Sequence, residues 1–242
     1  MRKTMGIIGG MSPESTLVYY EHIHRTYRES RHDVNYPTVL IYSVPFEDCR
    51  RWTVEQAWEE AGKALGAAAE ALHSAGADFA LIATNTMHIA FDIAQRRSPV
   101  PLMHIVDVTA EAIVAQGVKK IGLLGTRTTM QHPMYPQRLS AYGLHTLVPT
   151  EEQQEFVNRT IYNELTQGEV LPASRASFLE IIHDLERRGA QGVILGCTEI
   201  PLLIRQQDLA LPVFDTARLH AGAALAMALG EDTETPGANQ GG

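Results

Sequence analysis

Gly189-Ala-Gln-Gly-Val-Ile-Leu-Gly-Cys-Thr-Glu-Ile-Pro201 is a turn, a short apolar strand, and a cysteine standing where the strand stops. The layout occurs a second time, in Gly76-Ala-Asp-Phe-Ala-Leu-Ile-Ala-Thr-Asn-Thr86, with Thr84 in the place of Cys197. Two further pairs keep the same order: Gly6-Ile-Ile-Gly9 with Gly122-Leu-Leu-Gly125, and Pro101-Leu-Met-His104 with Pro212-Val-Phe-Asp215. The three pairs are separated by 116, 113 and 111 residues, a near-constant offset that marks two similar halves. Each strand is a short continuous apolar run between helical stretches. That is the pattern of parallel sheets covered on both faces, so the fold class is α/β.

With 242 residues, 45% hydrophobic and 20% charged, the chain has the composition of a globular protein with a sizeable core. A formal net charge of −8 repels phosphate backbones and acidic lipid, so neither nucleic acid nor a membrane surface is an expected partner. No apolar run approaches the ~20 residues that span a bilayer. Cys49 and Cys197 alone make no disulfide framework, and a reducing cytoplasm is the expected compartment. Metal-ligand spacings such as C-x-x-C and H-E-x-x-H are missing, as are G-x-G-x-x-G and G-K-[ST] for nucleotides.

Thr4–Gly9 opens the chain as a strand, and Ser12-Pro13 caps a helix reaching Arg28. Thr38–Val44 is a strand, Pro45–Trp52 an irregular loop carrying Arg50 and Arg51, and Thr53-Val-Glu-Gln56 a capping box for a helix to Ser74. After the Thr84 strand the pattern predicts helices over Met87–Arg97 and Asp107–Gln116, then a strand over Lys120–Leu124. Gln131–Tyr142, Glu151–Leu165, Ser174–Arg188 and Thr216–Leu229 read as helices, with strands at His145–Val148 and Leu211–Phe214. Residues 1–104 with 210–229 are expected to form one domain, 105–209 the other, and 230–242 a disordered tail.

In parallel sheets ligands bind at the carboxyl ends of strands. The polar tripeptides Gly10-Met-Ser12, Thr84-Asn-Thr86, Thr126-Arg-Thr128 and Cys197-Thr-Glu199 all fall there. A helix beginning after Cys197 is expected to lower its thiol pKa and make a nucleophile or proton acceptor. The hydroxyls and amides of Ser12, Asn85, Thr86, Thr126 and Thr198, with nearby helix N–H groups, suit a carboxylate or phosphate, although each also fits a simple helix cap. His88 lies one helical turn beyond Thr84, and Tyr19 and Tyr20 read as packing.

Gly9-Gly-Met-Ser-Pro-Glu-Ser-Thr16, Thr84-Asn-Thr-Met-His88, Leu124-Gly-Thr-Arg-Thr-Thr-Met130 and Gly196-Cys-Thr-Glu199 together resemble the aspartate/glutamate racemase family, from Gly6 to about Leu229. The resemblance implies two pseudo-symmetric α/β domains with the active site in the cleft between them, no cofactor, and a homodimer. Members use one cysteine per half on opposite faces of the substrate α-carbon. Thr84 stands where one of them is usual, as in the subgroup of L-aspartate/glutamate-specific racemases. On that pattern Thr84 and Cys197 are the acid/base pair. Met11, Ser12, Thr53, Asn85, Thr86, Thr126, Thr198 and Glu199 line the substrate, with Thr53 or Arg50 and Arg51 near its distal carboxylate. A threonine hydroxyl is a far weaker base than a thiol, so catalysis is expected to favour the L-enantiomer, with Thr84 donating on the other face, helped by water or His88. Two readings keep the fold but not the reaction: a single-cysteine decarboxylase of malonate-type acids, and a dicarboxylate-binding protein without turnover.

Overall fold

The apolar runs become eight parallel strands in the computed structural model, which describes residues 2–231. In the first half β1 (Met5–Gly9), β2 (Val39–Ser43), β3 (Phe79–Ile82) and β4 (Leu102–Met103) lie in the order β2-β1-β3-β4. In the second, β5 (Lys120–Gly125), β6 (His145–Leu147), β7 (Val193–Gly196) and β8 (Val213–Asp215) repeat it as β6-β5-β7-β8. The repeated sequence pairs therefore occupy matching strands: β1 with β5, β3 with β7, β4 with β8.

Successive side chains on a strand point to opposite faces, and both faces here are packed. On β1, Ile8 joins one cluster with α3 (Trp58–Ser74) and α4 (Phe91–Arg97), while Ile7 joins another with α1 (Pro13–Arg31) and α11 (Thr216–Leu229). On the second sheet Leu124 packs with α8 (Glu151–Asn163) and α9 (Pro172–Arg187), and Leu123 with α5 (Ile105–Ala115) and α7 (Met134–Ser140). Each fully buried Ile or Leu of these strands contributes about 1.5–3 kcal/mol by leaving water.

The two halves exchange their closing helices. α5 follows the first sheet yet packs on the second through Ile105, Val106 and Ile113. α11 follows the second sheet yet covers the first through Ala217, Ala221, Ala224 and Leu225, a face of small side chains that lets it lie close to Tyr19 and Ile23. The expectation that the C-terminal strand also completes the first sheet is corrected: Val213↔Val193 and Phe214↔Ile194 pair β8 with β7 in the second. A short apolar strand finds its partners where its own half leaves an edge, and only the helix can reach across. Of the expected tail, 232–242 lies outside the described residues.

The segment after β2 also differs from its reading. Pro45–Trp52 is not a loop but most of α2 (Phe46–Glu55), and Thr53 opens no helix. Its hydroxyl lies inside α2 and donates to the Cys49 carbonyl at 2.8 Å. The break comes at Gln56, whose φ of 55° ends α2 before α3 begins.

Two glycines offer a test of this packing. In α3, a Cβ at Gly62 would meet Ile93 Cβ and Cγ2 at 2.5 Å, whereas a Cβ at Gly222 in α11 would meet nothing within 4 Å. Gly62→Ala is expected to destabilise by about 1–3 kcal/mol despite alanine's helix preference, because a branched Ile93 must move. Gly222→Ala should stabilise by about 0.5–1 kcal/mol. Urea midpoints of the two variants check both signs.

Candidate active site

The polar tripeptides follow the carboxyl ends of β1, β3, β5 and β7, and hydrogen bonds between Ser15 and Thr198 and between Asn85 and Thr216 join the two halves beside them. After β1 the chain turns through Gly10 at φ +85°, where a Cβ would lie 2.2 Å from the Val44 carbonyl. Only glycine allows that approach. Met11 then buries into the core, and Ser12 caps α1 by accepting from Ser15 N at 3.3 Å. Ser12 thus serves the helix first, with its side chain half-buried at the cleft.

At the end of β3, Thr84 is half-buried and its hydroxyl has no hydrogen-bond partner among the described residues, so it is free to act. Thr86 is likewise half-buried, at the start of a 3-10 turn over Thr86–Ala90. Asn85 is different. Its amide is 4% exposed, accepts from the Tyr135 hydroxyl and donates to Thr216 Oγ1 at 3.0 Å. These two bonds fix the side chain at the junction of the halves and leave one amide N–H without a partner among the described residues.

At the end of β7, Cys197 Sγ donates to Glu199 Oε2 at 2.9 Å, and Thr198 Oγ1 donates to the same oxygen at 2.8 Å. Burial pushes the Cys197 thiol well above its ordinary range, and the charge and hydrogen bond of Glu199 push it further. The expected lowering is therefore reversed. The helix that follows, α10 (Ile200–Leu203), is a single turn, and the bonds from the Thr198 and Glu199 backbone oppose the rise only in part. Thr126 caps α6 (Arg127–Gln131), its hydroxyl accepting from Thr129 N at 3.3 Å.

Hydrogen bonds stitch the two edges together. Ser15 Oγ lies 2.7 Å from Thr198 Oγ1. Because Thr198 donates to Glu199, it accepts here, and Ser15 donates. Thr216 takes the Asn85 amide on one side and donates to the Leu195 carbonyl at 3.0 Å on the other, two residues ahead of Cys197. The Tyr135 phenol is raised by burial above all, with Thr216 opposing the rise and Cys197 adding a smaller push. Thr84 and Cys197 stand just past the ends of the matching strands β3 and β7.

The arginine pair separates. Arg51 is committed to Glu60 at 2.6 Å, with Asp48 and Glu55 beside it. Arg50 is exposed and forms no ion pair among the described residues. The Tyr162 hydroxyl in α8 is raised, first by loss of water contact and then by Cys197 and Glu199, and lowered by Arg50. Thr53 faces its own helix, so its hydroxyl is not offered to a ligand. Cys49 is buried, its thiol pushed up to about 12 mainly by burial, and it belongs to the core. Among the described residues no group of three His, Cys, Asp or Glu side chains is placed to hold a metal ion, and no helix is long and apolar enough to cross a membrane.

Sequence reading missed Ser15, Tyr135, Tyr162 and Thr216. Thr216 had a signal: it follows the repeated strand Pro212–Asp215, as Ile105 follows Pro101–His104. Tyr135 and Tyr162 sit inside helices, where nothing in the local pattern sets them apart.

Comparison with known proteins agrees with this geometry. The family described as Asp/Glu/Hydantoin racemase matches residues 8–224. The broad specificity amino-acid racemase RacX of Bacillus subtilis (strain 168) is 26% identical over 88% of this chain and 92% of its own. The crystal structure of an aspartate racemase homologue from Pyrococcus horikoshii OT3 superposes with a TM-score of 0.85 at 41% identity, covering 94% of this chain and 99% of that one. Picrophilus torridus aspartate racemase gives 0.76 at 25% identity, over 93% and 94%.

The thiol's environment is open to direct measurement. With Glu199→Gln the repelling charge goes, so thiolate formation should shift to lower pH. In a Cys49→Ala background, the half-point of iodoacetamide alkylation against pH is expected to fall. An unchanged half-point would mean that burial alone sets the shift, and a higher one that Glu199 supports the thiolate instead of opposing it.

Proposed function

The chain belongs to the Asp/Glu/hydantoin racemase family, and from that premise we propose that this racemase inverts the α-carbon of aspartate or glutamate, with Cys197 and Thr84 on opposite faces. The reading is supported by a half-buried Thr84 hydroxyl without a hydrogen-bond partner among the described residues and a Cys197 thiol, at duplicated strand ends tied by Asn85 and Thr216. Inverting a stereocentre through a planar carbanion requires a proton acceptor on one face and a donor on the other.

Substrate ionises its own base. In the empty site Cys197 holds its proton against Glu199. An incoming α-ammonium beside that carboxylate offsets its charge and favours the thiolate. The thiolate takes the α-proton of the L-enantiomer. The electron pair delocalises into the α-carboxylate, where Thr86 and neighbouring backbone N–H groups stabilise it as an enediolate. Thr84 returns a proton to the far face, and its alkoxide is reprotonated from solvent. Each pKa unit between a hydroxyl and a thiol costs about 1.4 kcal/mol, so the Thr84 transfer is the higher barrier.

Enantiomers have equal free energy, so kcat/KM for inversion is the same in both directions. The asymmetry lies instead in exchange. L-substrate can give its α-proton to Cys197, exchange it with solvent and regain a deuteron on the same face without crossing the Thr84 barrier. The reaction in deuterated water should therefore show L-aspartate or L-glutamate gaining α-deuterium faster than the D-enantiomer appears. Thr84→Ala should keep that exchange while inversion drops about 10²-fold or more, and Cys197→Ala should abolish both. If neither acid exchanges in either configuration, the reading fails.

Arg50 is the cation available to the distal carboxylate, since Arg51 is held by Glu60. For Arg50→Met we expect KM for the acidic substrates to rise about tenfold or more, with little change in Arg51→Met beyond stability. Equal effects from both would contradict the assignment. We extend the proposal to a homodimer acting in a reducing compartment: β2 leaves Ile41 and Tyr42 exposed on a free sheet edge, and both cysteines are unpaired.

A further inference from the structure

His88 lies within the 3-10 turn that follows Thr84, 2% exposed, and both its ring nitrogens are occupied. Nε2 lies 3.2 Å from the backbone N of Ile105, the first residue of α5. A backbone N–H can only donate, so Nε2 carries the lone pair. The neutral ring then holds its proton on Nδ1, which lies 2.7 Å from the Thr84 carbonyl and donates to it. One tautomer satisfies both contacts, and the reverse one satisfies neither.

The surroundings fix the ring further. Phe91 stacks on it at 5.7 Å and 9°, and His104 and His220 pack edge-on at 4.7 and 5.7 Å. His104 caps the next N–H of α5, accepting from Val106 N at 3.1 Å. Two neutral imidazoles thus close the N-terminus of α5, where its dipole disfavours imidazolium. Burial, chiefly, lowers the pKa of His88 to about 4.

We infer that His88 is the positioning residue of Thr84: a neutral, tautomer-locked imidazole that ties the Thr84 carbonyl to the start of α5 and so aims the hydroxyl at the α-carbon. This rests on the proposed racemase reading. It also corrects the expectation that His88 helps Thr84 by proton transfer, since neither nitrogen is free. Because the Thr84 transfer limits inversion but not exchange at the Cys197 face, loosening Thr84 has a one-sided signature. A merely structural defect would slow both.

Two substitutions divide the two hydrogen bonds. His88→Asn places an amide near the Nδ1 position, where it can still donate to Thr84. His88→Gln places one near the Nε2 position, where it can accept from Ile105 but gives up Thr84. In deuterated water, His88→Gln is expected to lose inversion by about tenfold or more while L-substrate exchange with retention stays within about twofold. His88→Asn should retain more of the inversion than His88→Gln. Circular dichroism and thermal midpoints establish that each variant is folded. Nitrogen-15 spectra of the unaltered protein should show His88 as the Nδ1–H tautomer throughout pH 5–8, a readout independent of any substitution. Parallel loss of exchange and inversion, equal behaviour of the two variants, or an Nε2–H or charged ring overturns the inference. Absent exchange in the unaltered chain would overturn the racemase reading itself, and this inference with it.

Discussion

A buried amide holds the two halves of this molecule in register. Asn85, one residue after Thr84, donates to Thr216, and Thr216 donates to the carbonyl of Leu195, two residues before Cys197. The two groups proposed to react come from strand ends more than a hundred residues apart, yet a path of two hydrogen bonds joins the segments that carry them. Breaking it would leave buried polar groups unpaired at about 1–3 kcal/mol each. The larger consequence is positional, because a misplacement of about 1 Å can cost 10²-fold in rate. Exchange of the closing helices strengthens the same junction. Thr216 opens α11, which belongs in sequence to the second half and packs on the first sheet.

The electrostatics of the cleft run against a resting thiolate. Burial and Glu199 both hold the proton on Cys197. A base with a raised pKa is stronger once ionised but scarcer at neutral pH, and the scarcity outweighs the gain unless something restores the charge balance. In the proposed mechanism a zwitterionic substrate does so with its ammonium group. Ionisation is thereby coupled to occupancy, and an empty site keeps a half-buried thiol in its less reactive form. The carboxylate that opposes the thiolate in the free protein is also the group suited to receive the ammonium.

Much of this was legible in the sequence because it is local. The repeated Gly-Ala turn, the apolar run and the polar tripeptide each need only about ten neighbouring residues, and together they placed Thr84 and Cys197 at matching strand ends. What was hidden depends on side-chain placement, on backbone angles and on distant partners, none of which the local pattern carries. The direction of the thiol shift depends on burial and on the Glu199 side chain swinging back. The break at Gln56 is a left-handed residue without a glycine to announce it. Thr53 fits a capping box by composition and turns out to lie mid-helix, because α2 continues through it. Asn85 was read as a ligand group from its place beside Thr84, but its partners Tyr135 and Thr216 come from the other half.

The scaffold is nearly symmetric while its two acid/base groups are not, and equilibrium thermodynamics explains why both features can persist. Inversion demands equal access to both faces of one carbon, so the strand ends must stay equivalent in position whatever residues they carry. The free energies of the two enantiomers are equal, so the higher of the two proton-transfer barriers governs inversion from either side. A weak group on one face therefore slows both directions alike, and it cannot be offset by strengthening the other. Selection on turnover then falls on whatever fixes the weaker group. Around Thr84, on the proposed mechanism, that means the carbonyl tie from His88 and the neighbouring amide of Asn85, two bonds that would position the hydroxyl without touching the substrate.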